Sequence, residues 1–206
     1  MKEKAMLKII GLLVILQFLR LGLKQLFFLF IKRTNFSDHL ASMLSFLLLT
    51  ALIVVICKRQ KIALTIFPPR FSRRYFFATG IVGLLLVTTP AYYSGGIEAI
   101  LLLIYSSIVT PIFEELIFRR YVWNQLSVIF KRAVPVYLWS SVLFGIWHLG
   151  YSDSLAFRVG EGLPEALIWT VIIGLCYGLV LGLLRLRTKN CYSTMLLHGA
   201  MNIFGR

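Results

Sequence analysis

Apolar stretches of membrane-spanning length recur along the whole chain, and nothing else in the sequence constrains its fold as strongly. A helix needs about 20 mostly apolar residues to cross the hydrocarbon layer. Seven stretches qualify or nearly qualify: 7–31, 40–57, 75–93, 97–118, 134–150, 165–184 and 191–205. Hydrophobic residues make up 59% of the 206 positions, and mean hydropathy is +0.83. A soluble chain of this size has too little interior to hide so much apolar surface. In lipid, every backbone polar group must be satisfied internally, which leaves helices and closed barrels. A barrel would show alternating strands of about ten residues separated by turns, and the sequence has none. The expected fold is therefore all-α, a polytopic bundle of about seven spans (six to eight). The last stretch is short and is expected to be only partly immersed.

The net charge of +14 would suit a nucleic-acid binder, but its placement points elsewhere. Lys and Arg gather between the apolar runs, as the positive-inside rule requires of cytoplasmic connections. One connection holds Lys58, Arg59, Lys61, Arg70, Arg73 and Arg74; another Arg119, Arg120, Lys131 and Arg132; a third Arg185, Arg187 and Lys189. They alternate with the Ser94-Gly95-Gly96 turn and the mixed 151–164 loop. Seven spans with a cytoplasmic N-terminus (Lys2, Lys4, Lys8) satisfy all of these and predict a multi-pass protein of a bacterial cell membrane with no nucleic-acid partner. Lys32-Arg33 falls on the outside; six spans, with the first run in the interface, is the alternative. Arg20 and Lys24 make that first run tilted, interfacial or bundle-facing. The run is too long for a cleavable signal. Pro68-Pro69 marks an extended linker. Cys57, Cys176 and Cys191 lack metal-ligand spacing and are expected to be packing residues. Gly174, Gly178 and Gly182, four apart, predict a face for close helix approach.

Ionisable groups inside spans are costly and tend to be paired or functional, which narrows the chemistry to three segments. In Thr110–Arg120, Glu115 and Arg119 stand four apart and can pair on one helix face. Glu114 points about 100° away and has Phe118 at its i+4 position. An unpaired buried carboxylate suits a general base; the same doublet could also be a water-facing helix end. In Phe144-Gly145-Ile146-Trp147-His148 a lone histidine sits in an apolar run, either as a packed residue bonded to a carbonyl or as a working one. His198 and Asn202 share a helix face and could converge on one oxygen or hold two helices together.

Taken in order, Glu-Glu-x-x-x-Arg (Glu114, Glu115, Arg119), Phe-x-x-x-His (Phe144, His148) and His-x-x-x-Asn (His198, Asn202) resemble the motifs of the CAAX protease and bacteriocin-processing family. This family is also called Abi and includes the type II CAAX prenyl endopeptidases. The resemblance covers residues 97–206 and implies a catalytic core there, with 1–96 as N-terminal scaffold. It implies an intramembrane endopeptidase in which Glu114 and His148 activate water, His198 and Asn202 stabilise the oxyanion, and Glu115 and Arg119 steady the helix. It implies no cofactor, with zinc on Glu114, His148 and His198 as the alternative, and a peptide partner such as a bacteriocin or signalling-peptide precursor. A bacteriocin self-immunity or regulatory protein acting by binding is the second functional class. A transporter has no support, because no inverted repeat is visible. Counting along the runs puts Glu114 and His198 within about two turns of the basic connections and His148 deeper, so the site is expected to open towards the cytoplasm.

Overall fold

The computed structural model describes residues 2–59, 66–89 and 94–205. They form seven helices: α1 (Lys2–Phe28), α2 (Asn35–Arg59), α3 (Arg73–Thr88), α4 (Gly96–Ile129), α5 (Ala133–Val159), α6 (Leu163–Thr188) and α7 (Cys191–Phe204). No strand occurs among the described residues, so the all-α polytopic bundle holds. Five helices, α1, α2, α4, α5 and α6, are long and apolar enough to cross a membrane. Helices α3 and α7 have 16 and 14 residues. Lys61 of the first basic connection and the 90–93 end of the expected third span lie outside the described residues.

Large apolar side chains such as Leu7, Phe18, Leu48, Phe77 and Trp169 point outward, where lipid replaces water and apolar exposure has no cost. The interior is built from Ile9, Leu13 and Leu16 of α1, Phe46 and Leu49 of α2, and the inner face of α4 from Phe113 to Leu126. Phe46 stacks on Phe113 with ring centroids 4.3 Å apart. The glycine stripe of α6 lies against α5 as expected. A Cβ at Gly178 would stand 2.8 Å from the Ser141 carbonyl oxygen, and one at Gly182 2.8 Å from the Tyr137 ring.

Of the alternatives for Arg20 and Lys24, the bundle-facing one is correct. Both are fully buried, and Lys24 Nζ lies 2.6 Å from Asp153 and 3.1 Å from Asp38. Arg20 reaches Asp153 at 3.1 Å, while Arg33 and Arg158 hold Asp38 at 2.7 and 2.8 Å. Two aspartates and four cations thus tie α1, α2 and α5 together at one end. That network also accounts for Arg33, the cation that the charge bias of the connections left unexplained.

A two-residue turn reverses the chain between α6 and α7. Lys189 takes the left-handed conformation (φ 57°), and the Asn190 side chain caps α7 by accepting the Ser193 N–H at 2.9 Å. The Cys191 and Tyr192 N–H groups donate to the Ile66 carbonyl, and Asn190 donates to the Tyr75 hydroxyl at 2.8 Å. The first basic connection and the α6–α7 turn therefore share one end of the bundle, opposite the Asp38–Asp153 network.

Candidate active site

Helix α4 is not regular where the site forms. Two wide π-helical stretches, Tyr105–Val109 and Leu116–Val122, flank Thr110–Glu115, and such turns often mark functional positions. Pro111 has no N–H to give to the carbonyls one turn back, at Ser106 and Ser107. Helix α7 packs against both carbonyls and gives a hydrogen bond to the first. Asn202 Nδ2 donates to the Ser106 oxygen at 2.7 Å, and Gly199 packs so closely that a Cβ there would stand 2.5 Å from the Ser107 oxygen. Backbone cannot yield as a flexible side chain does. Gly199→Ala is expected to cost about 1–3 kcal/mol through this overpacking, measured as a lower unfolding temperature in detergent.

The second carboxylate of the doublet is fully occupied. Glu115 Oε2 lies 3.2 Å from Arg119 Nε, a contact of charge rather than an aligned hydrogen bond, and its Oε1 accepts His198 Nδ1–H at 3.0 Å. The i, i+4 pairing expected from sequence is therefore present, with His198 as an unforeseen third member. Arg119 is fully buried and donates to the Gly178 carbonyl at 3.3 Å. Its guanidinium lies 4.3 Å from the centroid of the Phe144 ring. Phe144 also meets the rings of His148 at 4.9 Å and His198 at 5.9 Å, so the phenylalanine of the second motif is the packing hub between them. A water-facing helix end is ruled out for this doublet, and Arg119 and Arg120 do not belong to a connection. Helix α4 continues to Ile129, which leaves Lys131 and Arg132 as the basic pair of that turn.

Glu114 is buried to 1% exposure and has no cationic partner on its own helix. Its Oε1 accepts the Trp147 indole N–H at 3.2 Å and the Tyr151 hydroxyl at short range. Its Oε2 has no hydrogen-bond partner among the described residues and lies 3.8 Å from His198 Nε2. Sequence reasoning missed Trp147 and Tyr151 as partners of Glu114. The available signal was two amphipathic aromatics four apart beside a histidine in an apolar run, since buried indole and phenol groups usually find an acceptor. A charge-assisted hydrogen bond contributes about 1.5–3 kcal/mol, so Tyr151→Phe is expected to lower peptide turnover by about 10- to 100-fold with little change in KM. Steady-state kinetics on the purified variant checks this.

Helix α5 tightens to a 3₁₀ turn over His148–Tyr151 before resuming. Residues three apart eclipse in such a turn, which puts His148 and Tyr151 on the same side. His148 Nδ1 lies 2.8 Å from the Phe144 carbonyl oxygen. A carbonyl only accepts, so Nδ1 carries a proton, and in the neutral ring Nε2 then has the lone pair. Gly174 of α6 makes room for this ring, because a Cβ there would stand 2.6 Å from His148 Nδ1.

These side chains wall one cavity of about 250 Å³, lined by Glu114, His148, Tyr151, Tyr177, His198 and Asn202. All four residues that the motifs single out for chemistry thus meet at one hollow. A hollow between α1 and α5 is walled almost wholly by apolar side chains and carries none of this chemistry. The depth inferred from sequence is corrected for Glu114, whereas His198 does lie about two turns from the α6–α7 turn. Glu114 and His148 each lie about fifteen residues from the 129–133 connection, or about 22 Å at 1.5 Å per residue. The cavity's lining extends from Glu114 away from that connection, towards Tyr105 and Arg158. Among the described residues no three His, Cys, Asp or Glu side chains are grouped to hold a metal. The Nδ1 atoms of His148 and His198 and Oε1 of Glu114 are already engaged, so Nε2 of each ring and Glu114 Oε2 are the atoms that a metal would need.

No curated protein and no solved structure is similar enough to match this chain. A family model does match: type II CAAX prenyl endopeptidase Rce1-like, over residues 96–204. Those residues are more than half of the chain and run from the first residue of α4 to the last of α7, the four helices that wall the cavity. The chain belongs to the type II CAAX prenyl endopeptidase Rce1-like family and is a membrane protein of the CAAX-type intramembrane protease class.

Proposed function

We propose that the chain hydrolyses a peptide bond of a small peptide or precursor, with Glu114 as general base in a reaction that needs no metal. The observation that carries this is Glu114 Oε2: a buried carboxylate oxygen without a hydrogen-bond donor, at a cavity, 3.8 Å from His198 Nε2. Leaving such an oxygen unsatisfied costs about 1–3 kcal/mol or more, and the reacting water can donate to it. His148 Nε2, with its lone pair, accepts one hydrogen of that water and orients it. Glu114 takes the other as the water oxygen bonds to the scissile carbonyl carbon. The same proton then passes from Glu114 to the leaving amine as the C–N bond breaks.

The carbonyl oxygen gathers negative charge in the tetrahedral intermediate. His198 faces it through Nε2 and donates there when both ring nitrogens carry a proton, with Nδ1–H held on Glu115. An amide nitrogen carries two N–H groups, so Asn202 keeps one for the oxyanion while the other holds Ser106. Each preorganised donor of this kind contributes about 10²- to 10³-fold in rate. If zinc is bound, Glu114, His148 and His198 are the residues to hold it, and it would polarise the carbonyl or acidify the water.

Short connections and the strong bias of basic residues favour a bacterial peptide, such as a bacteriocin or signalling-peptide precursor, as substrate. The test is cleavage of a peptide panel by purified protein in liposomes, wild type against His148→Ala, with and without chelator. Cleavage that survives chelation and is lost in His148→Ala supports the metal-free mechanism. Activity lost on chelation and restored by zinc overturns that mechanism. No cleavage by any version, with wild-type and His148→Ala cells equally protected from a bacteriocin, replaces catalysis with immunity by binding.

A further inference from the structure

We infer that the cavity opens on the extracytoplasmic face of the membrane, so that its substrate is a peptide presented from outside the cell rather than from the cytoplasm; the substrate half of this rests on the peptidase proposed above. Two independent features meet here, the direction in which the cavity's lining extends and the distribution of Lys and Arg over the two ends of the bundle.

Of the cavity's lining residues Glu114 and His198 are buried and His148 half-buried, while Arg158, Ile173 and Gly205 are exposed. Arg158 lies ten residues beyond His148 along α5, near the Asp38–Asp153 network, and Gly205 closes α7 at its C-terminus. Arg158 is at the end of the bundle that also holds the 29–34, 94–95 and 160–162 connections, and Gly205 lies short of it, beside Tyr177 of α6. The other end holds the N-terminus of α1, the 59–73 connection, the 129–133 turn and the α6–α7 turn.

The two ends differ sharply in basic residues. One carries Lys58, Arg59, Arg70, Arg73 and Arg74, then Lys131 and Arg132, then Arg185, Arg187 and Lys189. The cavity end carries Lys32, Arg33 and Arg158, and the last two are tied to Asp38 at 2.7 and 2.8 Å. The positive-inside rule counts Lys and Arg in short connections and gives little weight to acids. It places the basic end in the cytoplasm whether or not α3 and α7 span fully, because α1, α2, α4, α5 and α6 alone fix which connections share an end. The cavity mouth is then outside. Sequence counting alone gives the opposite opening because it treats Arg119 and Arg120 as part of a connection, which moves Glu114 next to the cytoplasm. The buried Glu115–Arg119 pair and the continuation of α4 to Ile129 remove that premise.

The test is accessibility of single cysteines in a variant lacking Cys57, Cys176 and Cys191. Glu161→Cys stands at the cavity end and Lys131→Cys at the basic end, both exposed. With a membrane-impermeant maleimide, Glu161→Cys is expected to label in intact cells, and Lys131→Cys only after permeabilisation. The reverse pattern, or equal labelling of both in intact cells, overturns the inference. Wild-type protein in sealed right-side-out vesicles supplies a second readout that does not depend on the cysteine background. A susceptible peptide added outside is expected to be cut, whereas cleavage confined to peptide trapped inside overturns the inference. Cleavage on neither side overturns the peptidase and its substrate, and the labelling still decides where the cavity opens.

Discussion

Glu114→Gln is expected to lower kcat/KM for peptide hydrolysis by about 10²- to 10⁴-fold, the range a positioned general base contributes, while the unfolding temperature stays level or rises. Glutamine keeps the shape, and its carbonyl oxygen still accepts from Trp147 and Tyr151, as Glu114 Oε1 does. What it loses is the ability to take a proton. What it gains is relief from a buried carboxylate oxygen without a donor, a group that is costly to bury in its charged form. Activity and stability should therefore move in opposite directions, as expected where a site keeps an unsatisfied group for its chemistry. Glu115→Gln should behave otherwise, because it weakens the contacts to Arg119 and His198 and costs stability as well as rate. A Glu114→Gln protein that cuts peptide at the wild-type rate would remove Glu114 from the mechanism.

The parts of this site that could be read from sequence are those written along a single helix. The Glu115–Arg119 pair follows from a spacing of four, and the His198–Asn202 pair from the same spacing. The order of the three motifs led to one cavity. Contacts between helices carry no such signature. That Glu115 holds His198, that Trp147 and Tyr151 hold Glu114, and that Asn202 meets the Ser106 carbonyl all depend on how each helix is rotated against its neighbours. Pro111 hinted at the last of these, since a proline inside a span must leave a carbonyl to be satisfied from elsewhere.

The fold shows the same division. Apolar runs located the helices, but charge misplaced two ends. Arg119-Arg120 looks like the beginning of a wet loop, yet Arg119 is an interior residue because its partner Glu115 lies within the same run. Arg20 and Lys24 look like flaws in the first span. Their main partner, Asp153, is about 130 residues away, a distance at which no local pattern can announce the pairing. A cation in a span is ambiguous until its counter-ion is known, and only the tertiary structure supplies that.

Arg119→Leu is expected to destabilise the bundle by about 3–5 kcal/mol, the cost of breaking a buried ion pair by removing one partner. Both side chains are fully buried, so no water can take over for Glu115 when the guanidinium is gone. The change also removes the donor to the Gly178 carbonyl and the cation above the Phe144 ring, which together help dock α4 on α5 and α6. Arg119→Lys should fall between, since an ammonium keeps the charge but lacks the planar fork that serves several partners at once. The decisive comparison is the double variant Glu115→Gln/Arg119→Leu. If the loss comes from an orphaned carboxylate, the double variant should unfold at a higher temperature than Arg119→Leu alone, because the neutral amide no longer needs a counter-ion. If instead the losses of the two single variants simply add, the pair is not coupled, and Arg119 supports the site through packing on Phe144 rather than through charge. His198 separates the two cases a second way. It is held by Glu115 at 3.0 Å, so a carboxylate released from Arg119 should move and change that hydrogen bond, visible as a displaced ring resonance in NMR of labelled protein. A ring resonance that stays in place in Arg119→Leu would favour packing.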